Sequence, residues 1–179
     1  MNQEPYETLN SHVVWQSPWY TLRQHQVRLP DGSSAEYTVV ERSGAVWIVP
    51  LLPDGRMVLI RNYRYPVHEW LWEVPAGGLK AGITPKETAR QELAEEIGGQ
   101  TARLEQVATF YTAAGMSDEI AHVFLARDVV LGTPHHEPTE VMERHVFPVT
   151  RVTEMIERGE MADGPSALAV LLCLPRLAD

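Results

Sequence analysis

Three glutamates near the end of one predicted helix are the residues best suited to chemistry. Glu92, Glu95 and Glu96 stand at relative positions zero, three and four, so the first is a same-face neighbour of both others. Like charges at this spacing repel, and acidic residues near a helix C-terminus also oppose the helix dipole. A solvated acidic face is the ordinary explanation. The alternative is a site for a hard cation such as Mg²⁺, which would turn repulsion into chelation.

The residues before this helix favour the cation site. "EWLWEVPAGG" predicts a brief aromatic strand that ends at Pro75, followed by a loop. Gly77 and Gly78 in that loop permit a close approach of the backbone to a ligand. A strand, a glycine loop and a helix in this order can bring a backbone carbonyl next to convergent carboxylates.

The helix is predicted over Pro85 to Ile97. Thr84 is a suitable N-cap, proline occupies the first helical position, and Glu87 completes a capping box. Gly98 supplies the stop signal. The apolar positions that should pack on a sheet recur every four residues, at Ala89, Leu93 and Ile97.

The rest of the chain predicts strands first and helices last. Short β-branched and aromatic runs separated by turn signals predict strands within residues 13–42 and around a Pro-Asp-Gly turn near residue 54. "RLEQVATFYTA" and "EIAHVFLARDVV" alternate as strands do. Two helices are predicted at Val152–Arg158 and Ser166–Leu174. This order predicts an α+β fold, with a mixed β-sheet sandwiched between helices and an N-terminal antiparallel sheet segment.

Composition excludes several classes of function. The net charge is -9 and the pI is near 5.2, so a surface for nucleic acid, which needs clustered Lys and Arg, is not expected. Cys173 lies in the apolar run "LAVLLCL" and is interpreted as a core residue. The sequence shows neither a membrane-length apolar run nor a signal peptide, so we expect a soluble, cytoplasmic protein with no membrane partner.

Residues 77–99 resemble the Nudix box, a long motif with strict spacing. Gly77 matches its first glycine, Glu92-Leu93 match its Glu and aliphatic positions, Glu95-Glu96 match its glutamate pair, and Gly98 matches its closing glycine. The resemblance implies a Nudix fold in which Glu92 and Glu96, with Glu95 and the carbonyl of Ala76, bind catalytic Mg²⁺, or Mn²⁺ in its place. Three positions depart from the motif: Ile83, Gln91 and Gly99.

The surrounding sequence is similar to the ADP-ribose pyrophosphatase branch of that family, through segments such as "IRNYRYP", "AAGMSDE" and "RGEMADGPSALAVLL". The resemblance implies hydrolysis of ADP-ribose, or of a related nucleoside diphosphate sugar, to AMP and a sugar phosphate. It also implies a homodimer, with residues 1–42 as a dimer-forming β segment and residues 43–179 as the Nudix catalytic domain.

The same resemblance assigns roles to further residues. It places the catalytic base in an acidic loop, where Glu140 matches best and Glu137 and Glu143 are either alternatives or solvated carboxylates. It implies that Arg64 pairs with the substrate pyrophosphate, unless it is a strand-edge charge. It also makes Gly77 part of the substrate-binding loop.

Three more residues are expected at the substrate. Glu73 resembles an acid near the metals and ribose, or else a strand-end residue that meets an arginine. Trp19, with Trp15 and Tyr20, is expected to stack on adenine or to pack in a core or dimer interface. Glu119 lies in a loop that relatives place over the ribose. The adjacent His135 and His136 lack further ligands at zinc spacing, so no metal is assigned to them.

The motif departures leave competing functions open. In the family, the residues at the positions of Ile83 and Gln91 help to shape the loop and orient the carboxylates. Their loss is compatible with a catalytically weakened nucleotide-binding or sensing protein. A pyrophosphatase for another nucleoside diphosphate derivative is the alternative within the enzyme class.

Restoring the two motif residues tests whether they act as a pair. We expect Ile83→Glu and Gln91→Arg to be unfavourable singly and nearly neutral together, because a lone charge lacks its partner. The measurement is a double-mutant cycle in stability and hydrolysis rate. Additive effects of the two substitutions would contradict the pairing.

Overall fold

The computed structural model describes residues 4–136 and 141–177, which form two compact units. The first unit contains the described chain up to Gly44 together with Tyr111–Ile120. The second contains Ala45–Phe110 and the described chain from Ala121 onward.

The first unit is built on a three-stranded antiparallel sheet in the order β1-β2-β3. Its strands are β1 (Glu7–Gln16), β2 (Thr21–Arg28) and β3 (Ser34–Glu41). Every residue of β1 is exposed, and its register shifts twice along β2. The predicted N-terminal antiparallel segment is therefore confirmed, although its first strand leaves apolar side chains in contact with water.

The second unit combines short sheets with three helices. Four strands form a mixed sheet in the order β7-β4-β10-β9, in which β10 pairs in parallel with β4 and β7 pairs antiparallel to it. A second, antiparallel sheet has the order β12-β5-β6, and β11 pairs with β8. The strands are β4 (Ala45–Pro50), β5 (Met57–Arg64), β6 (Glu69–Glu73), β7 (Ala76–Gly78), β8 (Gly99–Gln100), β9 (Arg103–Tyr111), β10 (Ile120–Arg127), β11 (Val130–Leu131) and β12 (Met142–Phe147).

The helices cover both faces of the mixed sheet. They are α1 (Pro85–Ile97), α2 (Val149–Glu157) and α3 (Gly164–Cys173), and a short 3-10 turn follows at Leu174–Arg176. Along β10, Phe124 packs in a cluster with the apolar side chains of α1, whereas Val123 and Leu125 pack in a second cluster with α2 and α3. Side chains on a strand alternate between faces, so one strand supplies both cores. The predicted α+β sandwich is confirmed.

Local signals placed α1 correctly and the other elements less well. Both predicted ends of α1 are observed, with the Thr84 capping box at its start and Gly98 in the left-handed region at its end. The two later helices begin two or three residues before their predicted starts, and Asp163 caps α3 by accepting a hydrogen bond from Ser166 N. The predicted loop after Pro75 is wrong for Ala76–Gly78, because pairing with β4 makes this segment a strand despite its poor β propensity.

Cys173 is a core residue, as predicted. Its side chain is fully buried among the apolar residues beneath α2 and α3. Burial raises the pKa of the thiol to about 12, so the group stays protonated at neutral pH. None of the helices formed by the described residues combines the length and apolar character of a membrane span.

Gly98 allows a direct test of how α1 ends. A Cβ added there would lie 2.6 Å from the carbonyl group of Gly132, and φ is 67°. We expect Gly98→Ala to cost about 3–5 kcal/mol of unfolding free energy. Gly159→Ala is the matched control, because φ is 71° but nothing lies within 4 Å, and it should cost about 1–2 kcal/mol. Urea unfolding measures both, and equal losses would contradict the contact with Gly132.

Candidate active site

Two of the three helical glutamates converge on the backbone of β7. Glu96 Oε2 accepts a hydrogen bond of 2.9 Å from Ala76 N. The Glu92 carboxylate lies against Gly77, where an added Cβ would be 2.1 Å from its carboxyl carbon. Glu92 is 8% exposed and Glu96 is 4% exposed, so neither belongs to a solvated acidic face. Buried carboxylates need compensating partners.

Glycine at position 77 avoids a collision with the Glu92 carboxylate. Its absent side chain leaves the volume that the Glu92 carboxylate fills, whereas a Cβ added to Gly78 would meet nothing within 4 Å. This close approach agrees with the expectation that the glycine loop meets the carboxylates. The carboxylates of Glu92 and Glu96 and the backbone of Ala76 and Gly77 thus form one site, which we call the carboxylate cradle.

The composition of this cradle suits a hard divalent cation. Among residues 4–136 and 141–177, no group of three or more His, Cys, Asp or Glu side chains is gathered in a way that could hold a metal ion. Glu92 and Glu96, however, provide carboxylate oxygens beside the main chain at Ala76. Mg²⁺ is usually bound through one or two carboxylates and keeps several waters, so this small oxygen donor set fits it. Glu95 is half-buried on the same turn.

Arg64 and Glu73 form a bidentate ion pair at the ends of neighbouring strands. Arg64 Nε and Nη2 donate to the two Glu73 oxygens at 2.7 and 2.6 Å, and Asn62 Nδ2 donates to Glu73 Oε2 at 3.3 Å. Glu73 is 1% exposed, whereas the Arg64 side chain is 47% exposed. The hydrogen bond to Glu73 raises the pKa of Arg64, and the charge of Glu96 adds to this effect. Glu73 thus meets an arginine, which was one of its two predicted roles.

Two residues predicted at the substrate belong to the first unit. Glu119 is buried, forms an ion pair of 3.0 Å with Arg42 Nε, and accepts a hydrogen bond of 2.7 Å from Thr112 Oγ1. Trp19 is 75% exposed and lines a pocket of about 340 Å³ that also includes Arg42 and Asp118. Glu119 is thus held inside the unit, while the indole of Trp19 is open to a ligand.

The acidic loop is only partly described. Glu137 and Glu140 lie outside the described residues. Glu143 is exposed on β12, with a carboxylate oxygen 3.3 Å from His145 Nε2. His135 N and His136 Nε2 donate hydrogen bonds to backbone oxygens at the end of α1, so both histidines have a structural role.

Some determinants of the site were not found by sequence reasoning. At Gly99, an added Cβ would lie 3.0 Å from both Leu93 Cγ and Val129 Cγ1, so these neighbours fill the space of the aliphatic residue in the motif. Gln91 is exposed and Ile83 is half-buried. An unpaired charge introduced by substitution would therefore cost more stability at position 83 than at position 91. Leu93 lies on the preceding helix, whereas Val129 follows β10, and no local pattern predicts that second contact.

Comparison with known families agrees with this geometry. The sequence matches the family described as "NUDIX domain" over residues 41–167 and the "Nucleoside diphosphate sugar hydrolase N-terminal domain" over residues 6–40. The chain belongs to the Nudix hydrolase family. The helix with Glu92 and Glu96 and the glycine strand beside it are therefore the Nudix motif of this protein.

Individual relatives cover nearly the whole of this Nudix hydrolase. It is 35% identical over 175 residues to an ADP-ribose pyrophosphatase of Mycobacterium tuberculosis. The aligned region covers 96% of this chain and 84% of the relative. It is 30% identical to an ADP-ribose pyrophosphatase of Bacillus subtilis, over 92% of this chain and 90% of the relative. A solved structure described as an ADP compounds hydrolase matches 99% of the chain with a TM-score of 0.86 at 20% identity, which confirms the fold.

Gly77→Ala separates the shape of the cradle from the stability of the fold. The added methyl group must displace the Glu92 carboxylate, which is the flexible end of a side chain, so we expect a small loss of stability. Hydrolysis should fall about 100-fold, because small misplacements of catalytic groups are costly. Gly78→Ala is the matched control and should retain near-normal activity. Equal activity of both variants, measured with thermal melting as a check, would refute the steric argument.

Proposed function

We propose that this Nudix hydrolase cleaves the pyrophosphate bond of ADP-ribose, or of a related nucleoside diphosphate sugar, with Mg²⁺ as cofactor. The products would be AMP and a sugar phosphate. The observation that carries the proposal is the buried pair Glu92 and Glu96 against the Ala76–Gly77 backbone. The names of the relatives supply the substrate class.

The carboxylate cradle would hold the cation. Glu92, Glu96 and the Ala76 carbonyl are its proposed ligands, with Glu95 on the same helical turn, and Mn²⁺ could replace Mg²⁺. When bound, a divalent cation supplies electrostatic stabilisation of charge on the phosphate oxygens. The protein's own contribution is to keep the two carboxylates fixed and shielded from water before the substrate arrives.

Arg64 is proposed to bind the pyrophosphate, with Glu73 as the residue that orients it. A guanidinium has five N–H donors in a rigid plane, and the two bonds to Glu73 use only two of them. Because Glu73 is buried, it fixes the guanidinium plane, so less entropy is lost when a phosphate pairs with Arg64.

Other assignments also stand as proposals. Glu140 is the proposed general base, with Glu137 and Glu143 as the alternatives. Trp19 is proposed to stack on the nucleobase, which its exposed indole supports. Glu119 would act through Arg42 rather than by touching the substrate.

The assembly and the cellular setting are proposals of the same kind. A homodimer formed through residues 1–42 is supported by the exposed apolar side chains of β1, among them Val13, Val14 and Trp15. Residues 43–179 would then form the catalytic domain. The acidic composition supports a small-molecule substrate rather than nucleic acid, and we propose a cytoplasmic location.

A weakened nucleotide-binding or sensing protein is the competing proposal. It is favoured by the departures from the motif at Ile83 and Gln91. The structure describes both positions, and Gln91 faces solvent. Binding of ADP-ribose without turnover would support it, whereas metal-dependent turnover would exclude it.

Release of AMP from ADP-ribose, measured with and without Mg²⁺, tests the proposed hydrolysis. We expect turnover only with the metal, and Glu92→Gln should reduce kcat/KM about 100- to 1000-fold, because it removes a buried carboxylate charge at the reacting centre. Glu157→Gln on α2 is the matched control, since Glu157 is exposed, and it should behave as the wild type. Other nucleoside diphosphate sugars, assayed in parallel, rank the substrates. Full activity of Glu92→Gln would exclude the proposed site.

A further inference from the structure

The carbonyl groups at the C-terminal end of α1 are bound by one later segment of the chain, residues 132–136, and by Arg144. Four consecutive backbone oxygens, those of Glu95 to Gly98, accept these hydrogen bonds. The donors are His135 N to Glu95 O at 2.7 Å, His136 Nε2 to Glu96 O at 2.8 Å, Arg144 Nη1 to Ile97 O, and Gly132 N to Gly98 O at 2.7 Å. A helix end leaves these oxygens without helical partners, so this segment completes the helix.

The helix needs such donors because its own composition is unfavourable at this end. The last turn of α1 contains no basic residue and carries Glu95 and Glu96. A helix C-terminus has a partial negative charge, so acidic side chains there are destabilising and cations are stabilising. Arg144 places a guanidinium directly on the Ile97 carbonyl. It supplies the charge that the helix sequence lacks.

The register of β12 directs Arg144 to the helix. Met142 and Val146 pack against the apolar cluster beneath α1. Because alternate residues of a strand share a face, Arg144 lies on the same face of β12, between these two. Its backbone position is opposite Ile60 of β5. The same Nη1 atom also donates to Gly132 O at 2.9 Å, so the side chain joins the helix end to the segment that caps it.

We infer that Arg144 is a positioning residue for the carboxylate pair, a role that rests on the proposed function. Glu96 directly precedes the residue whose carbonyl Arg144 holds, and Glu92 lies one turn earlier on the same side. Fixing the last turn keeps the Glu96 carboxylate on Ala76 N and the Glu92 carboxylate against Gly77. Without Arg144 the turn would fray, and the cradle would lose its geometry before any cation binds.

Mg²⁺ titration without substrate tests this inference by calorimetry. Arg144→Met should weaken Mg²⁺ binding about 10-fold, because outer residues that orient metal ligands typically contribute 10- to 100-fold. Arg144→Lys restores a cationic donor and should bind within about 3-fold of the wild type. Arg103→Met is the matched control, because it removes an exposed arginine of the same unit, paired with Asp128, and it should leave binding unchanged.

Hydrogen exchange of the metal-free variants separates local positioning from general destabilisation. In Arg144→Met, peptides covering residues 92–99 and 132–136 should exchange faster, while those of β4 and β10 stay protected. Faster exchange throughout the second unit would overturn the inference, because Arg144 would then be a general stabilising residue. Arg144→Gln, which keeps a polar side chain but removes the positive charge, gives the same discrimination if the methionine variant does not fold.

Two further results would overturn the inference. One is that Arg144→Met binds Mg²⁺ as tightly as the wild type does. The other is that Glu92→Gln leaves the Mg²⁺ affinity unchanged. Failure of the proposed function is a different result. If Mg²⁺ binds as expected and Arg144→Met weakens it, but the wild type hydrolyses no nucleoside diphosphate sugar, the positioning role stands and the hydrolase proposal fails.

Discussion

Burial of two carboxylates beside a strand with almost no side chains is the constraint on which the rest of this structure depends. Glu92 and Glu96 lose nearly all of their contact with water, and an uncompensated buried charge costs several kcal/mol. The hydrogen bond from Ala76 N to Glu96 offsets part of this cost, and the missing side chain of Gly77 makes room for the Glu92 carboxylate. The neighbouring side chains of α1 are apolar and lie in the core. The helix must therefore serve the core and the site at once.

The mixed sheet makes that double use of α1 possible. Pairing of β7 with β4 places Ala76 and Gly77 on the strand next to the one that packs under the helix. The strand β10 pairs in parallel with the edge of β4 that β7 does not occupy. The face of β10 that points away from α1 packs against α2 and α3. Any loss of register in β4 would move side chains to the wrong face and displace the glycine strand from the carboxylates.

Charged side chains elsewhere are also held by specific partners. Glu73 is buried because Arg64 and Asn62 satisfy its oxygens, and Glu119 is buried because Arg42 and Thr112 do the same in the first unit. Such pairs contribute little net stability, since desolvation offsets attraction. Their effect is geometric, because each pair holds a guanidinium in one fixed plane. Arg144 acts differently, because its guanidinium places a positive charge at the negative end of the dipole of α1.

The sequence by itself determined the fold class and both ends of α1, and it identified the helix whose glutamates meet β7, without separating Glu92 and Glu96 from Glu95. These features depend on signals within a few residues, such as the Thr84 cap, the four-residue apolar spacing and the Gly98 stop. Only the tertiary structure decided that Glu73 pairs with Arg64 and that Glu119 pairs with Arg42. It also decided that Val129 fills the space beside Gly99 and that Arg144 completes α1 from 47 positions further on. The physical reason is that register and packing choose partners across the chain, whereas propensity and capping act along it.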